Sequence, residues 1–414
     1  MKEKTAKSDN RKILILLTQD LESPSGLGRY FPIAKYLVQA GYSVSIAALH
    51  SDYASLENTS FIQDGVKVDY ISQMHVLKKG NQTQYFGVWK LIALTIKATW
   101  GLFKAAISQR YQIILIGKPH PMNGVAGVLA GWIKRSKIIV DCDDYEAASN
   151  HYASGWQRKV VQLFENLIPK FSNIVTTNTH FFEQRLISLG IKPEKIQYVP
   201  NGIDPDRFVE PAPHDVAQLS QELNLNGQKV IAYIGSLNLS NHSVDLLLKA
   251  FAILTKEHEA VHLLIVGGGS DRTKLEQLSC ELDIAEKTHF VGRVSPDLIP
   301  LYYRLADVTV DPVEDSDATR GRCPLKMFES WAMGVPFVTA DVGDRKLLAE
   351  NSPMTLITEP GDFKDLARGL SSILSMKSGD LIGSMTTEEI KPIEDYYWEN
   401  IINNHIKIDM KITK

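Results

Sequence analysis

The chain has 414 residues, 44% apolar and 22% charged, more than one hydrophobic core usually supports, so two domains of roughly 200 residues each are expected. Three widely separated cysteines, Cys142, Cys280 and Cys323, form no C-x-x-C pair, which argues against a disulfide framework or a zinc site and fits a reducing compartment. The net charge of −3 hides an imbalance, because residues 1–210 carry 25 Lys and Arg against 18 Asp and Glu while the remainder carries 20 against 30. The N-terminal half is therefore the one suited to an anionic surface or acceptor.

The first ten residues are polar and read as a loose end. The first apolar run, Ile13 to Leu17, stops at Thr18-Gln19-Asp20; it is too short for a signal peptide or a membrane span and is expected to be a buried strand of a cytoplasmic protein. Further strand-like runs follow at Val44 to Ala48, Val66 to Ile71, Ile113 to Ile116, Ile138 to Val140 and Ile174 to Thr176. Phe86 to Ile107 is helix-length and apolar nearly all round, with Lys90, Lys97 and Lys104 seven apart and Trp89 and Trp100 among the apolar residues. Three lysines exclude comfortable bilayer crossing. Two readings stay open: an interfacial helix against anionic lipid, making the protein peripheral on a membrane, and a helix sandwiched between a sheet and a neighbour.

Pro200, Gly202, Pro205, Pro211 and Pro213 crowd the stretch around Asn201 to Pro213, which can form neither helix nor central strand and reads as a linker. Strand-like runs then resume at Val230 to Ile234, Leu263 to Val266, His289 to Val291, Val308 to Val310 and Pro336 to Thr339. Strands alternating with helix-length amphipathic stretches predict an α/β chain of two Rossmann-like doubly wound domains facing each other across a cleft. Their expected extents are 1–210 and 211–385, with 386–414 as a closing segment that holds a helix over Tyr396 to Ile408. Ligands of open parallel sheets bind at the carboxyl ends of the strands, which places the site in the cleft.

The segment Asp311 to Asp344 is the richest in chemistry. A charged loop follows the strand ending near Val310, Pro324 opens a helix and Gly334 closes it, using the preferences of proline for helix starts and glycine for helix ends. A helix start preceded by Arg320 and Arg322 is an anion site, since free N–H groups and the helix dipole point at whatever lies before it. A diphosphate fits. Lys326 and Glu329, three residues apart, share one helix face; the lysine lies nearer the phosphates, and the carboxylate one turn on can accept both hydroxyls of a ribose. A surface ion pair is the plainer reading of the same spacing.

Together with Tyr198-Val199-Pro200-Asn201-Gly202-Ile203-Asp204, the run Cys323 to Val338 resembles the group-1 retaining glycosyltransferases of family 4, which have the GT-B fold and a donor helix reading roughly P-x-K-x-x-E-x-x-A-x-G-x-P-x-V. Ser25-Gly26-Leu27-Gly28-Arg29 resembles that family's N-terminal glycine loop, Leu263 to Gly269 its "hLxIvGxG" strand, and Phe290-Val291-Gly292 followed by Leu301 to Asp307 its "fxGxv…yyxxadv" stretch. The resemblance implies that Glu329 holds the donor ribose, that Lys326 and the helix start face the diphosphate, and that the backbone around Gly292-Arg293 contacts the base. It also implies that Gly26 and Gly28 let backbone approach donor phosphate or acceptor, with a tight strand-to-helix turn as the lesser alternative.

This sequence departs from the family pattern in two places. The usual "GRLxxxKG" appears as GSLNLSNHSVD, with Ser236 in the place of the arginine and Asn241-His242 where the lysine is expected; Gly321 takes the first position of the paired glutamates, leaving Glu329 alone. Arg320, Arg322 and Lys326 are expected to supply the missing cations, each charge-assisted contact being worth about 1.5–3 kcal/mol. In the N-terminal half, His120 in Lys118-Pro119-His120-Pro121 and Asp143 in Asp141-Cys142-Asp143-Asp144 follow strands at the cleft edge and are expected to serve sugar and acceptor. Structural roles, a loop histidine and a helix cap, compete with both. No metal is expected, because two-domain enzymes of this kind neutralise the leaving group with helix dipoles and basic side chains. The resulting expectation is transfer of a sugar from a nucleotide-diphosphate donor, a UDP- or GDP-sugar, to a hydroxyl acceptor, with retention implied by the resemblance. A binding relative without chemistry and a two-domain epimerase are the alternatives.

Overall fold

A computed structural model describes residues 11–405 except 80, 81, 150, 151, 153, 351, 353 and 377–392; the expected loose end and the last residues of the Tyr396 to Ile408 helix lie outside the described residues. The strands that precede the linker are β1 (Lys12–Leu16), β2 (Ser43–His50), β3 (Ser60–Gln63), β4 (Val66–Gln73), β5 (Val76–Lys79), β6 (Gln82–Tyr85), β7 (Ile113–Gly117), β8 (Lys137–Cys142), β9 (Ile174–Thr177) and β10 (Ile196–Tyr198). The helices between them are α1 (Phe31–Gln39), α2 (Val88–Ile107), α3 (Pro121–Lys134), α4 (Glu146–Ser149), α5 (Gly155–Leu167) and α6 (His180–Ser188). Eight strands form one sheet in the order β10-β9-β8-β7-β1-β2-β4-β3, parallel throughout except for β3 at the edge. Ile13 to Leu16 are all buried, as central parallel strands covered on both faces must be.

After the linker come β11 (Lys229–Ile234), β12 (Val261–Val266), β13 (Thr288–Gly292), β14 (Val308–Asp311), β15 (Phe337–Ala340) and β16 (Thr355–Thr358), joined by α7 (Pro213–Glu222), α8 (Val244–Glu257), α9 (Arg272–Glu281), α10 (Ile299–Leu305), α11 (Asp317–Arg320), α12 (Leu325–Ala332), α13 (Arg345–Ala349) and α14 (Phe363–Ser375). Their sheet is wholly parallel, in the order β13-β12-β11-β14-β15-β16, the doubly wound arrangement expected. In each sheet the strand order reverses once, between β1 and β7 in the first and between β11 and β14 in the second. Open parallel sheets form a crevice at such a switch point.

The final helix, α15 (Trp398–His405), docks on the N-terminal domain. Trp398 is fully buried in the N-terminal core with Ile401 and Ile402, and its indole N–H donates to the Gly28 carbonyl (3.0 Å). Tyr396, two residues earlier, still packs on Phe328 and Trp331 of α12. The chain therefore crosses between the domains twice, and the crossings lie side by side: Ile203 N–H donates to Tyr396 O (2.8 Å) and Trp398 N–H to Ile203 O (3.0 Å). Burying a tryptophan far from the rest of its domain in sequence is what draws the end of the chain back.

Candidate active site

At the switch point of the second sheet β14 ends in Asp311, whose side chain is wholly buried. Three cations converge on it. Lys326 Nζ lies 2.9 Å from Oδ1, and Arg322 and Arg345 lie 3.3 and 3.1 Å from Oδ2. Burial alone would raise the Asp311 carboxyl, but Lys326, Arg322 and Arg345 outweigh it and hold it well below the usual carboxylate range. Burial pushes the Lys326 ammonium down, with Asp311 opposing and Arg322 and Arg345 adding to the fall, because three cations share one carboxylate and two positive charges are left over. A preformed, partly desolvated positive cluster of this kind is complementary to a diphosphate.

The elements around Asp311 explain how the cluster is built. Met327, Phe328, Ser330 and Trp331 bury one face of α12, so Lys326 and Glu329 come to the opposite, partly buried face. Gly334 at φ 66 stops the helix, a conformation that costs glycine little. Lys326 Nζ passes over the Tyr233 ring, 4.2 Å from its centroid, and a Cβ at Gly235 would lie 3.0 Å from that nitrogen. Arg322 donates to Asn241 O (2.8 Å) and His242 Nδ1 (2.9 Å), so this guanidinium occupies the neighbourhood of the loop where the family lysine is absent. Burial first, then Arg322 and Lys326, hold His242 well below its ordinary value, which keeps it a neutral acceptor. Glu329 Oε2 accepts from the Tyr303 hydroxyl (2.9 Å), and this fixes the carboxylate while leaving its other lone pairs for a ligand. Ser236 takes part through its carbonyl, which accepts from the Tyr233 hydroxyl (2.7 Å).

Other expected site residues have partners of their own. Arg320 is exposed and forms a double hydrogen bond with Asp315 (2.6 and 2.6 Å), turned away from Asp311 because a carboxylate in its own loop captures it. The fully buried Arg345, which also donates to the Thr319 and Val342 carbonyls (3.0 Å each), is the third cation instead. Gly26 and Gly28 are both required by packing: a Cβ on Gly26 would fall 2.2 Å from Asp20 O, and one on Gly28 would fall 2.7 Å from Leu325 Cδ1 of α12. Gly321 has a similar reason, since a Cβ there would lie 3.1 Å from the Cβ of Tyr145 in the other domain. Gly292 ends β13 at φ 91, and its carbonyl accepts from Gly267 N–H (2.8 Å). Arg293 follows it, exposed, and its charge reaches Lys78 of the N-terminal domain, whose ammonium is lowered by burial first, with Asp20 opposing and Arg293 adding.

Across the cleft, Lys118 follows β7 in a left-handed conformation (φ 55), which is costly for a residue other than glycine and so is maintained by its surroundings. Its ammonium lies 2.6 Å from Asp144, 2.7 Å from Glu146 and 3.8 Å from Asp143. Those three carboxylates are close enough together to hold a metal ion, and the lysine supplies a cation from within the chain. His120 Nε2 lies 3.1 Å from Glu146 Oε2. Burial would raise the Glu146 carboxyl, but Lys118 and His120 hold it well below the usual range. Asp143 does not present a carboxylate to the cleft. It is 3% exposed, accepts from the Tyr30 hydroxyl (3.2 Å), and is pushed up to about 8 by burial, with Lys118 opposing and Asp144 and Asp141 adding.

Below this cluster Arg29 donates to both oxygens of Asp141 (2.8 and 2.7 Å) and to Asn201 Oδ1 (3.0 Å), and Asn201 Nδ2 donates to Cys323 O (2.7 Å) just before α12. A buried ion pair thus ties both domains to the linker. Behind it, Glu165 accepts the Glu146 N–H (2.8 Å) and is pushed up from 4.5 to about 8 by burial, with the charge of Glu146 adding. A raised folded-state value means that its contribution to stability is complete below about pH 4 and is lost as pH rises toward 8. Glu165→Gln is expected to melt above the unaltered protein at pH 8, with the difference vanishing at pH 4; a pH-independent difference in scanning calorimetry would refute this.

The sequence matches two family profiles, "Glycosyl transferase 4-like domain" over residues 25–202 and "Glycosyl transferases group 1" over residues 228–376. It is 24% identical over 235 residues to a GDP-mannose-dependent alpha-(1-6)-phosphatidylinositol monomannoside mannosyltransferase of Mycobacterium tuberculosis, covering 55% of this chain and 60% of that protein. It is 27% identical over 241 residues to an alpha-monoglucosyldiacylglycerol synthase of Streptococcus pneumoniae, covering 56% and 53%. The chain thus spans less than two thirds of the length of these curated relatives. Among solved structures, sucrose-phosphate synthase of Thermosynechococcus elongatus superposes with a TM-score of 0.71 at 18% identity, covering 94% of this chain and 96% of that one. Anabaena HepE in complex with UDP and glucose superposes with 0.68 at 17%, with the same coverage. With both halves matched in order and both sheets in place, the chain belongs to the group-1 glycosyltransferases and has their two-domain GT-B fold.

Proposed function

We propose that this protein transfers a glycosyl group from a UDP- or GDP-sugar to a hydroxyl acceptor, with retention, the nucleotide being held by the C-terminal domain. The observation that carries this reading is the cluster of Lys326, Arg322 and Arg345 on Asp311, one helical turn from a Glu329 carboxylate steadied by Tyr303. In this arrangement Lys326 and Arg322 stabilise the charge that develops on the departing diphosphate, Glu329 accepts from the ribose hydroxyls, and Gly292-Arg293 borders the base. His120, oriented by Glu146, is the N-terminal group placed to meet the sugar or acceptor; Asp143 supports it through Lys118. The named relatives include enzymes of GDP-mannose and of lipid acceptors, which fits a donor of this class and a membrane-borne acceptor reached by peripheral contact through α2.

Release of free nucleotide diphosphate from a panel of UDP-, GDP- and ADP-sugars tests the reading; donor binding without release from any of them would favour the non-catalytic alternative. Glu329→Ala is expected to weaken donor binding at least tenfold, about 1.4 kcal/mol, through loss of two charge-assisted hydrogen bonds. Unchanged affinity by calorimetry would remove Glu329 from the ribose site. Turnover is expected to survive EDTA, because Lys118 sits among the acidic trio and cations of the chain face the diphosphate. Activity lost on chelation and restored by manganese would overturn that expectation.

A further inference from the structure

Helices α2, α3 and α5 cover one side of the first sheet, their inner residues Ala98, Leu102, Ala126 and Val128, with Ile168 just after α5, joining a single core. Their outer faces are also apolar. On α2 Trp89, Ile92, Ile96 and Trp100 recur at helical spacing, with Trp89 84% and Ile96 65% exposed, on the side opposite Ala98 and Leu102. Trp132 and Ile133 of α3 and Leu163 of α5 continue the surface, and Trp132 meets the exposed Phe171 edge to face across 5.7 Å. Most of the large apolar side chains exposed by the described residues lie on these three helices and the turn that follows α5. Exposed apolar side chains grouped on one face in this way mark an interaction site.

The charges on this face are of one sign. From Tyr70 to Val140 the sequence has no Asp or Glu against ten Lys and Arg. Lys90, Lys97 and Lys104 flank the α2 stripe, Arg158 and Lys159 lie on α5, and all five are exposed. The acid of α5, Glu165, is 1% exposed and faces inward. Four of the six tryptophans, Trp89, Trp100, Trp132 and Trp156, are exposed here. Tryptophans at the rim of an apolar face with interspersed lysines suit a bilayer interface, where the rings sit at headgroup depth and the ammonium groups meet anionic lipid. A second copy of the chain fits poorly, since a twofold contact would set this cationic face against itself.

We propose that the outer face of α2, α3 and α5 is a docking surface for an anionic lipid bilayer. The proposal extends the contact through α2 into a three-helix face and does not depend on the transferase reading. Helix α3, which carries Trp132 and Ile133 near its C-terminal end, has His120 as its N-cap at the other end.

The test is sedimentation of the full chain, without donor, with vesicles of phosphatidylcholine alone and of phosphatidylcholine with phosphatidylglycerol at three to one. The protein should pellet with the anionic vesicles, its tryptophan emission should shift to the blue, and added salt should release it. The triple variants Trp89→Ser/Ile96→Ser/Trp132→Ser and Lys90→Glu/Lys97→Glu/Lys104→Glu, all at exposed positions, should bind roughly a hundredfold more weakly with circular dichroism unchanged, as expected for about fivefold per lysine. Absence of pelleting, or equal pelleting with both vesicles, would overturn the proposal. So would a dimer that the tryptophan variant converts to monomer, which would make a second copy the occupant. Donor hydrolysis in solution should be the same in both variants and the unaltered protein; its absence from all three would count against the transferase reading and leave the lipid result standing.

Discussion

Asp311→Ala is expected to lose about 3–5 kcal/mol of folding stability, because Lys326, Arg322 and Arg345 would remain buried without their shared counter-charge. Removing a lone surface aspartate costs little; removing the centre of this cluster leaves three desolvated cations repelling one another within reach of a single atom pair. Urea unfolding gives the measurement, and a loss under about 1 kcal/mol would show that water or rearrangement replaces the carboxylate. Added inorganic pyrophosphate should return part of the loss, since an anion that binds only the folded protein stabilises it by mass action. Such recovery would report on the anion site independently of any sugar.

Lys326→Ala should lower donor affinity and the rate of donor hydrolysis by about 1–3 kcal/mol, roughly fivefold to a hundredfold, the scale for a hydrogen bond to a charged group. The variant should fold, since deleting one cation leaves Asp311 with Arg322 and Arg345. Arg320→Ala is the control: its guanidinium is engaged by Asp315 at the surface, and its loss should change neither affinity nor rate. An Arg320 variant as impaired as the Lys326 variant would mean that the loop after β14 rearranges around the donor. Donor affinity and hydrolysis unaltered in the Lys326 variant would remove this ammonium from the diphosphate site.

The strand runs were legible because a parallel strand covered on both faces must be apolar at almost every position; Ile13 to Leu16 and Leu263 to Val266 could hardly be anything else. Strands without that covering gave no signal. β3 is an exposed edge and β10 has three half-buried residues. In the site, Lys326 and Glu329 could be read together because i,i+3 spacing on a helix fixes their common face. Asp311 as the hub, and Arg345 as its third partner, could not, since they meet only when β14 and β15 lie side by side. The available signal was position: Arg345 follows the carboxyl end of a strand, as do Lys118, Gly235 and Arg293. The pairing of Arg320 with Asp315 was not legible, because proximity to a helix start in sequence says nothing about a competing carboxylate five residues back.

The return of the chain end to the first domain changes what can be separated. A fragment ending in the linker would lack Trp398, Ile401 and Ile402, and would expose the hollow that they fill beside Ile33 and Leu37. The two halves are thus braided rather than strung like beads. Two straps hydrogen-bonded to each other at Ile203 and Trp398 also resist torsion better than one. Gly202 adjoins that pairing, where a Cβ would strike the Tyr396 carbonyl at 2.9 Å; a side chain there would pry the two straps apart.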